Sequence, residues 1–119
     1  MATFTKNILS GSTNGRAILV TATASAGTTI HTGSTSTSVQ QEVWLYAHNA
    51  DTTARKLTVE FGGTTAPGDI IEQTIPAESG LTLVSPGLIL KGTATALVVR
   101  AFAATASQVS ILGYTNDIS

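Results

Sequence analysis

From residue 40 onward, apolar and polar side chains alternate with a period of two, and no stretch repeats at helical spacing. Glu42 to Asn49 puts Val43, Leu45 and Ala47 on one face and Trp44, Tyr46 and His48 on the other. Both faces carry apolar surface, which predicts a strand covered on two sides. Lys56 to Phe61 alternates more cleanly: Leu57, Val59 and Phe61 point inward, while Lys56, Thr58 and Glu60 face solvent. Ile70 to Ile75 is a further strand, ended by Pro76. Leu81 to Val84 and Leu88 to Lys91 form two more, separated by a predicted Ser85-Pro86-Gly87 turn in which proline presets φ and glycine permits a positive one. Ala96 to Ala103 sets Leu97, Val99 and Ala101 on one side. Gln108 to Tyr114 sets Val109 and Ile111 against Leu112 and Tyr114, and the intervening Ala104 to Ser107 is short enough for a hairpin.

Upstream, Ala17 to Thr23 reads as a strand through Ile18 and Val20, and Thr28 to Thr32 as another. Gly33 to Ser38 and Thr64 to Asp69 have loop composition. About eight short strands joined by turns rather than helices define an all-β fold, a single antiparallel β-sandwich. A jelly-roll-like form is expected, although strand count alone does not separate it from an immunoglobulin-like sandwich. Residues 17–119 make up the sandwich and residues 1–16 an N-terminal arm or edge segment. Within that segment Phe4, Ile8 and Leu9 lie in a Thr-containing stretch before a Gly11-to-Gly15 turn, and they are expected to anchor the arm on a neighbouring chain. The competing reading makes the stretch the first edge strand of its own sheet.

Composition changes the picture of the surface. Charged residues are 11% of the 119, against about a quarter in ordinary soluble domains, so the surface is polar but nearly uncharged. A net charge of -1 with scattered basic residues offers nothing to a phosphate backbone or an anionic bilayer, and neither nucleic acid nor a membrane is an expected partner. The absence of cysteine excludes disulfides and thiolate chemistry. Residues 1–10 lack the apolar core of a secretion signal, and no window approaches a transmembrane span, so synthesis in a cytoplasm is expected. Low charge, with apolar side chains on both faces of the Trp44 strand, favours packing between copies; a homo-oligomer, a trimer for preference, is the expected state.

Candidate chemistry is sparse. His48 lies beside Asn49 and Asp51 at a strand end, where an Asx turn accounts for the cluster, and His31 borders the Ser/Thr loop. Gly11-Ser12-Thr13-Asn14-Gly15-Arg16 lacks the ending of a phosphate-binding loop, and there is no nucleophile-elbow motif. The seven acidic residues are spread over different strands and loops. A converging carboxylate pair for glycoside hydrolysis therefore needs the fold to supply it. The chain reads as non-enzymatic, with no cofactor and no metal. Trp44 or Tyr46 would serve as the platform of a sugar-binding module, or else both aromatics are packed in the sandwich.

Four segments carry a resemblance: Glu42 to Asn49, Lys56 to Gly63, Ile75 to Leu81 and Leu97 to Ala103. Together they resemble small virion proteins of tailed bacteriophages, those similar to capsid decoration, or cement, proteins. The resemblance spans roughly residues 40 to 118 and rests on strand-and-turn patterns with no active-site signature. It implies a β-sandwich subunit that oligomerises and sits on the virion, contacting the major capsid protein or other virion subunits. A carbohydrate- or receptor-binding module of a head or tail fibre is the alternative. No functional residue carries over from the resemblance; the expected interface residues, read from the chain itself, are Phe4, Ile8, Leu9, Trp44 and Tyr46.

Overall fold

The alternating runs become nine strands in the computed structural model, which describes residues 2–119, and no helix occurs among those residues. In chain order they are β1 (Phe4–Ile8), β2 (Ile18–Leu19), β3 (Thr28–Thr32), β4 (Gln40–Asn49) and β5 (Arg55–Phe61). β6 (Ile70–Ile75), β7 (Thr82–Lys91), β8 (Val98–Ala103) and β9 (Val109–Ile118) complete the set. The pairing is nested: β5 pairs with β6, β4 with β7, β3 with β8 and β2 with β9, all antiparallel. This is one long hairpin folded back on itself.

Rolling that hairpin brings β4 against β9 and β5 against β8, which closes it into two sheets. One has the order β1-β9-β4-β7, with β2 beside β9 further along the same edge; the other has the order β3-β8-β5-β6. β1 pairs with residues 114–118 of β9 and β2 with residues 110–111, so the two share one edge position and the sandwich has eight positions in all. This order is that of a jelly roll, and the fold is the expected all-β sandwich.

The core lies between the sheets, where the alternation placed it. Val43, Leu45 and Ala47 of β4, Leu57 and Val59 of β5, Val99 and Ala101 of β8, and Val109 and Ile111 of β9 are fully buried. Gly113 matters for this packing, because a Cβ there would collide with the carbonyl oxygen of Trp44 on the neighbouring strand. Asn49 ends β4 with the expected Asx turn: its Oδ1 accepts the Asp51 N–H at 2.9 Å, and its Nδ2 donates to the carbonyls of Thr53 and Ile75.

Three local expectations are corrected. Ser85-Pro86-Gly87 is not a turn: β7 runs through it as one strand of ten residues, with register shifts against β4 on either side. β7 is an edge strand, where a missing proline N–H costs no internal ladder bond, and the positive φ of Gly87 (74°) is taken up in a bulge. Ala104 to Ser107 is not a hairpin, since β8 and β9 belong to different sheets and the segment crosses between them. β9 prefers two long ladders, with β1 and β4, to pairing with its predecessor. Finally, Thr58 and Glu60 are not solvated: they are 6% and 0% exposed. The segment before β3 folds over the outer face of β5 and bonds to Glu60.

Candidate functional site

The outer face of the β1/β2–β9–β4–β7 sheet follows from the ladder registers. Lys6, Asn116, Glu42 and Ile89 form one row across the four strands, and Ile8, Tyr114, Trp44 and Pro86 the next. Leu112, Tyr46 and Leu83 form a third. Because side chains on a strand alternate faces, each row presents to solvent what the core does not use. The first row is polar up to Ile89 at its β7 end, with the Asn116 amide donating to Glu42 Oε1 at 3.2 Å. The other two are apolar.

The aromatic pair at the centre of this face is held rigidly. Trp44 and Tyr114 stack with ring centroids 6.1 Å apart and planes 16° from parallel. The Lys6 ammonium sits 4.7 Å from the Tyr114 centroid, a cation–π contact that adds a third strand to the array. On the other side the indole lies on Gly87, where a Cβ would come within 2.8 Å of Trp44 Cζ2. Lys6, Tyr114, Trp44 and Gly87 thus lock together one side chain or backbone position from each of β1, β9, β4 and β7.

Among the described residues, the large hydrophobic side chains that are well exposed lie on this sheet or beside it. The large hydrophobic side chains left exposed are Phe4 and Ile8 of β1, Leu19 of β2, Leu81 just before β7, and Leu83, Leu88 and Ile89 of β7. Among the described residues, the β3–β8–β5–β6 sheet contributes none. The flat aliphatic edges on β1 and β7 therefore flank the half-buried aromatic centre.

The sequence-predicted interface residues separate into two groups. Phe4 and Ile8 (67% and 52% exposed), together with half-buried Trp44 and Tyr46, come together on this one face. Leu9 does not: it is 1% exposed and belongs to the core. It is held there by its neighbours, the Gly11 N–H donating to Ile30 O at 2.9 Å and the Ser10 N–H to His31 Nδ1 at 3.0 Å. Nor is the segment a free arm. β1 forms a five-residue antiparallel ladder with β9, and Thr3 and Ser119 exchange backbone hydrogen bonds beyond it. Sequence reasoning missed β7 as part of the face, because a strand interrupted by Pro-Gly reads locally as a turn.

The polar residues considered for chemistry have structural partners. His31 is buried; since its Nδ1 accepts from Ser10, its Nε2 carries the proton and donates to Gln41 Oε1 at 2.9 Å. Gln41 in turn donates to Asp117 Oδ1 at 3.0 Å, so the chain of bonds ties β3 of one sheet to β4 and β9 of the other. His48 donates from Nδ1 to the Gly80 carbonyl at 3.0 Å. Both oxygens of buried Glu60 are occupied, by the Ser25 hydroxyl at 2.5 Å and the Gly27 N–H at 2.7 Å. Asp51 accepts two bonds from the Arg55 guanidinium, which with the Thr52 N–H lowers its carboxyl below the ordinary range. Among the described residues no group of three or more His, Cys, Asp or Glu side chains gathers to hold a metal ion.

Comparison with protein-family models, with curated proteins and with solved structures returned no match.

Proposed function

We propose that this chain is a non-enzymatic structural subunit that works by assembly, docking the outer face of its β1/β2–β9–β4–β7 sheet on other protein subunits. The observation that carries the reading is the segregation of exposed apolar side chains: Phe4, Ile8, Leu19, Leu81, Leu83, Leu88 and Ile89 all belong to that sheet or adjoin it. Exposed apolar side chains clustered on one sheet of a small domain mark a protein–protein surface. The stacked Trp44 and Tyr114 supply rigid aromatic anchors at its centre, the residue types that dominate interface energetics. Low charge supports the same reading, since few charges on the face need partners when water leaves.

In its most specific form the proposal is a decoration subunit that stabilises the head of a tailed bacteriophage. It would act as a homo-oligomer, a trimer for preference, on the virion surface against the major capsid protein. The resemblance of residues 40 to 118 to such proteins supports that form. Light scattering at micromolar concentration is expected to give a homo-oligomer. The double substitution Leu83→Asp with Ile89→Asp should give a monomer with an unchanged β-type circular dichroism spectrum. Wild-type protein should also co-sediment with heads of the virus that encodes it, and the double variant should not. A monomeric wild-type protein that also fails to sediment with the heads would refute the reading.

A further inference from the structure

The opposite sheet holds a feature that assembly through the first one does not use. A cleft of about 280 Å³ opens on the outer face of β3–β8–β5–β6. Its apolar lining includes Phe102 of β8, Ile70 of β6 and Pro67 of the β5–β6 loop; its polar lining includes Thr58 and Lys56 of β5 and Glu72 of β6. Thr58 lies directly between Glu72 and Phe102 in the ladder register, so these three side chains share one row. One wall is fixed, because Ser25 of the segment before β3 is bonded to buried Glu60.

The chemistry of the lining selects a ligand. Lys56 is ion-paired with Glu72, and both Glu60 oxygens are engaged, so the cleft offers no free cation to a phosphate or carboxylate. With two carboxylates to one ammonium it repels anions. It also lacks the three converging ligands that a divalent cation requires. Thr58 is 6% exposed, yet among the described residues its hydroxyl has no hydrogen-bond partner. Among the described residues no side-chain polar atom is both sealed from solvent and unpaired, so this hydroxyl opens into the cleft, where it can donate to or accept from a ligand. The half-buried Phe102 ring beside it provides an apolar face. A neutral ring with one apolar side and hydroxyls at its rim matches all of these features.

We propose that this cleft binds a single neutral sugar ring. The pyranose stacks on Phe102, one hydroxyl pairs with Thr58 Oγ1, and neighbouring hydroxyls bridge the Lys56 ammonium and the Glu72 carboxylate. The site is independent of the assembly face, so the two readings fail separately.

The test is a titration of isotope-labelled full-length protein with glucose, galactose, mannose and N-acetylglucosamine, followed by amide chemical shifts, with inorganic phosphate as the charged comparison. At least one neutral sugar should shift resonances of residues 56–60, 70–72 and 102 saturably, and phosphate should not. Thr58→Val, which keeps shape and removes the hydroxyl, should weaken that sugar by roughly fivefold to tenfold with an unchanged melting temperature. Phe102→Ala should abolish binding, and Leu83→Asp should leave it intact. The proposal is overturned if no neutral sugar shifts these resonances, if phosphate binds there instead, or if Thr58→Val binds as tightly as wild type.

Discussion

Replacing Leu9 by Ala separates a segment that belongs to its own domain from an arm lent to a neighbour. Leu9 is 1% exposed, and its backbone surroundings are pinned to β3 by the bonds from Ser10 and Gly11, so the site cannot collapse onto a smaller side chain. A fully buried Leu→Ala change under those conditions costs about 3 kcal/mol, within a general span of about 2–5. With an unfolding entropy of about 2.1 cal/mol/K per residue, a chain of 119 residues loses roughly 4 °C of melting temperature per kcal/mol. The expected drop is therefore about 12 °C by calorimetry of the free subunit. Phe4→Ala, at a side chain 67% exposed on the same segment, should cost no more than about 0.5 kcal/mol, or about 2 °C. If Leu9→Ala melts as close to wild type as Phe4→Ala does, the segment contributes nothing to its own core and the packing described for it is wrong.

Two further outcomes follow from the same geometry. Gly87→Ala imposes a positive φ on a residue with a Cβ and drives that Cβ into the Trp44 indole, so a loss of about 2 kcal/mol is expected from the backbone and the disturbed stack together. Trp44 is the only tryptophan, so its near-ultraviolet dichroism should weaken in the same variant, and an unchanged band would sink the argument. Asp51→Asn should lower the melting temperature modestly at neutral pH. The lowered carboxyl of Asp51 stabilises the fold above the ordinary aspartate range of about 4 and loses that effect as pH falls through the lowered value, so wild type and variant should converge in acid. A gap that persists at the acid end would show that the Arg55 pairing is not its source.

The parts of the site that were legible in the sequence are those written in a single strand. Trp44 and Tyr46 could be assigned a common face, opposite Val43 and Leu45, because two-residue alternation is a local property of extended backbone. Phe4 and Ile8 could be flagged as apolar residues with no obvious core to enter. Nothing local distinguishes Leu9 from Ile8, however: adjacent residues on a chain leaving a strand point to opposite sides, and only the docking of Gly11 on β3 decides which one is buried. The cleft was illegible for a related reason. Glu60 reads as the solvent-facing member of an alternating strand, and its partners Ser25 and Gly27 lie more than thirty residues away, in a segment without periodicity.

By itself the sequence determined the class of fold, since runs of alternating residues broken by Gly, Pro and polar loops can bury their apolar side chains only in stacked sheets. It also determined that the surface would be nearly uncharged. The tertiary structure alone decided which strands are neighbours, because eight of these short segments have similar patterns and nothing in them encodes a partner across the sheet. The pairing of β1 and β2 with β9 and of β4 with β7 gathers Phe4, Ile8, Leu19, Leu83 and Ile89 on a single outer face. The pairing of β5 with β6 and β8 moves Thr58, Glu72 and Phe102 into one row on the other. Both surfaces are products of long-range register, which depends on the packing of the whole sandwich rather than on any stretch of it.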